Sequence, residues 1–294
     1  MSKRGRSAFI ATFLAPAVLL YGVFVVYPLV QALGLSFYRW KGVSAHKTFV
    51  GLGNYQDLAK DEIFHKALHN NLWLMVIGGL VILALAILLA HAMQGQSKAI
   101  RTLRGLYLFP QVISLVVVAI IWQFLYKPTY GLVTGFLGKL GVQGWDAPLA
   151  SPNQALFAVG IAFVWYALGF YIMLFSAGLK QIPEEINEAA ALDGSSGFHR
   201  FKTITWPMLW TIKRISAIYI VINTLNIFAL VYIMTVGGPS NSTQTMLTYL
   251  YDQAFQNSKY GYGTTIASAN FIVAMLLAAI LMFVFRKNPE GARS

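Results

Sequence analysis

Apolar positions run unbroken over six long stretches of the chain. No Asp, Glu, Lys or Arg falls within residues 7–38, 67–97, 105–126, 147–179, 215–251 or 260–285. Each stretch can hold the ~20 apolar residues that carry a helix across ~30 Å of hydrocarbon. The pattern predicts an all-α integral membrane protein with spans at about 8–36, 70–92, 105–126, 153–179, 211–236 and 263–285, forming one membrane domain over 1–294. A buried helix of a large soluble protein explains any single run but not six together. Transmembrane β-barrels are excluded too, because their strands read as ~10-residue alternating segments.

The polar segments between the runs carry turn chemistry. The first, about 39–66, contains "FVGLGNYQDLAKDEIFHKALHNN", turn glycines followed by a short amphipathic pattern. "KPTYGLVTGFLGKLGVQGWDAPLASP" is rich in Gly and Pro and reads as a second outer loop, and "VGGPSNSTQ" marks the outer end of the fifth span. Pro110 falls near the start of the third predicted span, where a missing N–H costs little. No inverted internal repeat is visible.

Composition agrees with the pattern: 57% of the 294 residues are hydrophobic and 11% charged, against about 25% charged in ordinary soluble domains. The net charge of +12 raises nucleic acid as a partner, but its distribution argues for a membrane instead. With a cytoplasmic N-terminus, fourteen of the 22 Lys and Arg lie inside: Lys3, Arg4, Arg6, Lys98, Arg101, Arg104, Lys180, Arg200, Lys202, Lys213, Arg214, Arg286, Lys287 and Arg293. This excess, in the shorter loops, is the positive-inside bias, and it predicts that both termini are cytoplasmic. The basic start resembles a signal peptide, yet its apolar run exceeds the 7–15 residues of an h-region, which predicts an uncleaved first span. The absence of cysteine excludes disulfides, thiol nucleophiles and cysteine metal sites.

One polar interruption is longer than a connection needs. Between Ile182 and Leu209 the chain reads "IPEEINEAAALDGSSGFHRFKTITWPML", within a predicted loop of 180–210. Pro183 suits a first helical turn, and Glu184 and Glu185 complement the positive end of the helix dipole. Ile186, Ala189 and Ala190 follow at i, i+3 and i+4, and Gly194 stands where a helix C-cap is expected. A second short helix is predicted from Ser196, with Pro207 ahead of the fifth span. Composition alone leaves an ordinary interfacial amphipathic loop equally open.

Catalytic chemistry is hard to find. There is no phosphate-binding G-x-x-x-x-G-K-[ST], and "DGSSG" is one residue short of a G-x-S-x-G nucleophile elbow. His65 and His69 could share a helix face, but "HKALH" lacks the glutamate of a zinc-protease motif. No titratable pair lies mid-span, as proton-coupled carriers usually require. Neutral polar residues do lie there: Gln111, Ser114 and Gln123 in the third span, Trp165, Tyr166, Phe170 and Tyr171 in the fourth, and Tyr219, Asn223, Thr224, Asn226 and Tyr232 in the fifth. Helix-to-helix hydrogen bonding and ring packing explain any one of them. Together they suit an uncharged, polyhydroxylated solute, whose hydroxyls need hydrogen bonds and whose C–H faces rest on rings.

Glu188-Ala189-Ala190, Asp193-Gly194, Ile204 and Pro207 resemble the EAA motif of binding-protein-dependent ABC importer permeases. The likeness covers nearly the whole chain: "FLAPAVLLYGVFVVYPLVQALGLSFYRW", "FVGLGNY", "LYLFPQVISLVVVAIIWQFLYKPTYGLVTGFL" and "VGGP" through "YGYGTTIASA" resemble the sugar-uptake branch of the MalF and UgpA kind. One departure is Trp210, where a second proline often follows Pro207. The resemblance implies a coupling helix that docks into a separate ATPase subunit, with Glu188 facing a basic group, Ala189 and Ala190 permitting a close fit, and Gly194 making the turn. It also implies a substrate-facing side around Tyr166, Phe170, Asn223, Thr224 and Ile227. Asn226 joins them from the amide spacing on the fifth span. The implied assembly contains a second homologous permease in a heterodimer, two ATPase subunits that hold ATP and Mg, and an extracytoplasmic solute-binding protein. This chain itself would bind no cofactor or metal and act in the cytoplasmic membrane on a di- or oligosaccharide. An importer of glycerol phosphate or another polyol-like solute, a self-contained carrier or channel, and, less well supported, a membrane enzyme are the competing readings.

Overall fold

The computed structural model describes residues 3–44, 46–95 and 97–286, with side chains from residue 9 onward. The basic tail from 287, and the side chains of Lys3, Arg4 and Arg6 that enter the charge count, lie outside the described residues. Four helices are long and apolar enough to cross a membrane: α1 (Phe9–Leu35), α3 (Glu62–Ala92), α7 (Ala155–Lys180) and α13 (Tyr260–Val284). The count rises to six if two bent pairs are each one span: α4 (Lys98–Val112) with α5 (Leu115–Leu125), bent by 105°, and α9 (Gly197–Met208) with α10 (Trp210–Leu225), bent by 69°. The shorter helices are α2 (Gly53–Ala59), α6 (Leu132–Lys139), α8 (Glu184–Leu192), α11 (Ala229–Thr235) and α12 (Met246–Tyr251).

The second predicted span starts earlier than expected, at Glu62 and not near residue 70, and two others are interrupted, each for a local reason. The third was expected to be continuous over 105–126, with Pro110 near its start. Instead α4 begins at Lys98, where Ser97 Oγ accepts from Ile100 N at 3.3 Å as an N-cap. Pro110 therefore sits near the end of α4, and Ile113 and Ser114 are extended, with ψ of 143° and 137°. The fifth was expected over 211–236, but α10 stops at Leu225 and α11 resumes at Ala229. Asn226 Nδ2 donates back to Ile222 O at 2.8 Å, a local bond that competes with helix continuation. The carbonyls released by the break find other donors: Thr224 O accepts from Asn71 Nδ2 at 2.6 Å and Ile227 O from Thr245 Oγ1 at 3.2 Å. An interrupted helix in an apolar surrounding is tolerated only when its backbone is satisfied this way.

The chain divides into two compact units. The first comprises 1–61 and 249–271. Its turn is a two-residue antiparallel pair, β1 (Tyr38–Arg39) with β2 (Thr48–Phe49), in the register Tyr38↔Phe49 and Arg39↔Thr48. Asn54 Nδ2 ties this turn down by donating to Ser36 O and Tyr38 O at 2.8 and 3.0 Å, and Thr265 Oγ1 donates to Ser36 O at 3.1 Å. Asp61 Oδ2 accepts from the phenols of Tyr249 and Tyr262.

The second unit comprises 62–248 and 272–294 and is organised by α7. Its buried side chains include Leu74 and Ile82 from α3, Val118 from α5, and Ala162, Ile172 and Phe175 from α7. Small residues set the approach of its neighbours, the usual device where lipid offers no hydrophobic drive between helices. At Gly169 a Cβ would lie 2.3 Å from Tyr107 O, so α4 and α7 meet backbone to backbone. At Gly178 it would meet Ile212 Cγ1 at 2.5 Å.

Candidate functional site

The end of α4, the middle of α7 and the α10–α11 break enclose a cavity of about 320 Å³. Tyr166, Phe170, Asn223, Asn226 and Ile227 line it, together with Gln111, Tyr171 and Tyr219. The interrupted helix explains how residues 223, 226 and 227 reach one space, since the chain leaves helical geometry at Asn226. Thr224 is not in the lining: it is fully buried, and its hydroxyl donates to Ile220 O at 2.7 Å. Trp165 packs edge-on against Trp122 at 5.8 Å instead, and Gln123 Nε2 is held by Ile233 O and Met234 O.

The cavity walls divide the labour chemically. Phe170 stands edge-on to Tyr171 at 5.2 Å and tilted to Tyr219 at 5.3 Å, giving a continuous aromatic wall. Three amides, Gln111, Asn223 and Asn226, share the lining with it. Asn223 Nδ2 reaches Tyr171 Oη only at 3.5 Å, at the long limit of a hydrogen bond. Gln111 Nε2 donates to Tyr166 O, which fixes the side chain against α7 and leaves its carbonyl oxygen as an acceptor. Among the lining residues none is Asp, Glu, Lys, Arg or His.

The polar loop forms a second candidate surface. Helix α8 spans Glu184–Leu192 with both first-turn glutamates in place. It ends in a Schellman closure: Ser195 N donates to Ala190 O at 2.8 Å and Gly194 N to Ala191 O at 3.1 Å, with Gly194 at φ +74°. Nothing lies within 4 Å of a Cβ built at Gly194, so glycine is required by backbone conformation and not by space. Glu188, Ala189 and Asp193 are exposed, whereas Ala190 is buried. Leu192 and Phe198 are 90% and 78% exposed. Ile204 lies in a π-turn, Phe201–Thr205, and Pro207 follows at the bend before α10. Lys213 Nζ closes that bend by donating to Trp206 O at 2.7 Å and lying 4.1 Å over the Trp206 ring.

Sequence reasoning passed over Asn70 and Asn71. Asn70 Nδ2 donates to Ser242 O and Gln244 O at 3.0 and 2.8 Å, and Asn71 bridges Thr224 O and Met246 N. The signal was present as two adjacent amides at the head of an apolar run, where unpaired amides are costly.

Apolar helices long enough to cross a membrane, set around a cavity lined by neutral polar and aromatic side chains, are the architecture of a membrane protein that passes a solute. Residues 82–288 match the family described as binding-protein-dependent transport system inner membrane component, and the chain belongs to it. It is 35% identical over 298 residues to the diacetylchitobiose uptake system permease protein NgcF of Streptomyces coelicolor, covering 97% of this chain and 84% of that one. It is 30% identical over 276 residues to the sn-glycerol-3-phosphate transport system permease protein UgpA of Agrobacterium fabrum, covering 92% of each. The fold matches a chain of a bacterial ABC transporter involved in the import of the acidic polysaccharide alginate, with a TM-score of 0.81 at 20% identity and 96% of each chain covered.

Proposed function

We propose that this chain is one permease subunit of an ATP-driven importer for a neutral di- or oligosaccharide. The observation that carries the reading is the cavity: amides, phenols and aromatic rings line it together, and no charged side chain does. A sugar ring offers hydroxyls to such amides and C–H faces to such rings. Phosphate recognition relies on cations or on clustered backbone N–H groups. The glycerol-phosphate alternative, suggested by the UgpA relative, lacks that support at this cavity.

In this reading, six spans form a single membrane domain in the cytoplasmic membrane with both termini inside. Helix α8 and the turn at Gly194 are the coupling element, and Glu188, Ala189, Ala190, Asp193, Gly194, Ile204 and Pro207 shape it. The exposed Leu192 and Phe198 support a docking role, because large apolar side chains on a polar loop favour a protein partner. Two separate ATPase subunits hold ATP and Mg and close on the coupling helices, a homologous second permease completes the pathway, and a solute-binding protein delivers the sugar. The test is uptake by the reconstituted complex with its binding protein, comparing labelled N,N′-diacetylchitobiose and maltose with sn-glycerol 3-phosphate. ATP-dependent uptake of a neutral disaccharide supports the reading, and uptake of glycerol phosphate alone overturns it.

A further inference from the structure

A second cavity, of about 580 Å³, lies at the N-terminal end of α7, within the same compact unit. Trp73 of α3, Trp145 and Phe157 supply its walls, with Phe157 edge-on to Trp73 at 6.2 Å and to Trp145 at 5.8 Å. Its polar lining holds two atoms with no hydrogen-bond partner among the described residues, Ser242 Oγ and Gln154 Oε1. Ser242 is only 6% exposed, and its backbone is fixed by Asn70 Nδ2, while Gln154 Nε2 is anchored on Gly144 O at 2.8 Å. A buried hydroxyl and amide oxygen left unpaired carry a desolvation cost that a bound ligand would relieve.

The geometry points to a further carbohydrate subsite here, distinct from the cavity at Asn223 and nearer the extracytoplasmic surface. A sugar hydroxyl can donate to Gln154 Oε1 and exchange a hydrogen bond with Ser242 Oγ, while the indoles and Phe157 receive the ring's apolar face. Lys66 and His69 also line the cavity; Lys66 Nζ is engaged with Ser240 O at 3.1 Å, and the two buried atoms awaiting partners, Ser242 Oγ and Gln154 Oε1, are neutral. Phe157 and Tyr166 are nine residues apart on α7, which separates the two sites by roughly 13 Å along the helix. A solute would then pass between two hydroxyl-binding stations. This inference rests on the sugar reading above.

The absence of cysteine from the chain provides the test. Asn153, exposed in the lining of this cavity, is replaced by cysteine in the complete transporter in nanodiscs. Maleimide labelling is timed with N,N′-diacetylchitobiose, maltose, glycerol or sn-glycerol 3-phosphate, against a complex without Asn153→Cys. A transported disaccharide is expected to slow labelling by 1 + [L]/Kd, about twofold at a concentration equal to Kd. Protection should persist with Asn223→Leu and disappear with Ser242→Ala or Trp145→Ala. Ser242→Ala should also leave thermal stability intact, because the hydroxyl it deletes has no protein partner. Disaccharide uptake without protection, protection lost with Asn223→Leu, or equal protection by glycerol or glycerol phosphate overturns the subsite alone. If glycerol phosphate alone is taken up, the sugar reading falls and the subsite with it.

Discussion

Asn71 and Met246 stand 175 residues apart, and Asn71 Oδ1 accepts a hydrogen bond from Met246 N at 2.8 Å. The same side chain donates to Thr224 O, so one buried amide seals the end of α10 and the start of α12. Asn71→Ala removes both bonds and leaves a buried N–H and a buried carbonyl without partners. The purified complex is expected to lose about 2 kcal/mol or more, read as a lower unfolding temperature. An unchanged temperature would show that the break between α10 and α11 is held by something else.

The turn after α8 discriminates conformation from bulk. Gly194 has open space around it but a left-handed φ of +74°. Asn adopts that region more readily than other non-glycine residues, and a β-branched residue resists it. Gly194→Asn is therefore expected to keep most ATP-driven uptake, while Gly194→Val hydrolyses ATP with little transport. Equal activity of the two variants would remove the turn from the coupling mechanism.

Adjacent residues on α10 should behave differently. Asn223 lines the cavity and Thr224 bonds into its own helix. Asn223→Leu is expected to weaken uptake on the order of tenfold, the loss of about one ligand hydrogen bond, while Thr224→Val costs little transport. Saturation curves for uptake check this, and a larger defect at Thr224 would move the substrate face round the helix.

Topology can be tested with single cysteines. Ser242 is buried, so Ser240 and Ser196, both exposed, are the better probes. A membrane-impermeant maleimide on intact cells is expected to label Ser240→Cys and spare Ser196→Cys. The opposite result inverts the orientation of the chain.

The Asp61 cluster predicts a flat pH response. Burial, then the hydrogen bond and charge of Asp61, push the Tyr249 phenol well above its ordinary value, about 10. Its folded pKa being raised, the stability it contributes is complete below about pH 10 and is lost only as the pH climbs through the raised value. Tyr249→Phe should cost about 1–2 kcal/mol, with the same difference in unfolding temperature from pH 6 to pH 9. A difference that shrinks across that window would contradict the assignment.

The helical class was legible because charge-free runs longer than ~20 residues have few other solutions. Runs of composition do not report where a helix bends. Ser97 extends α4 backwards through basic residues, and Asn226 interrupts α10, and both act through local hydrogen bonds that hydropathy averages away. The α8 turn was legible at single-residue level, since Pro183, the two glutamates and Gly194 each mark a local backbone requirement. The cavity was legible in part: i, i+3 and i, i+4 spacing singled out Asn223, Asn226, Tyr166 and Phe170, but helical register alone could not turn Thr224 away. The Asn70 and Asn71 clamps are tertiary, and nothing local announces their distant partners.

The Gly169 contact has a mechanical consequence. With the Tyr107 carbonyl lodged where a side chain would stand, α4 and α7 cannot slide past one another without losing that fit. The wall bearing Tyr166 and Phe170 is thus the stiff jaw of the cavity. The jaw bearing Asn223 and Asn226 is jointed at its break, with a few side-chain bonds for a latch. Alternating access is expected to work by swinging the jointed jaw against the fixed one, leaving the aromatic wall as the rail along which solute moves.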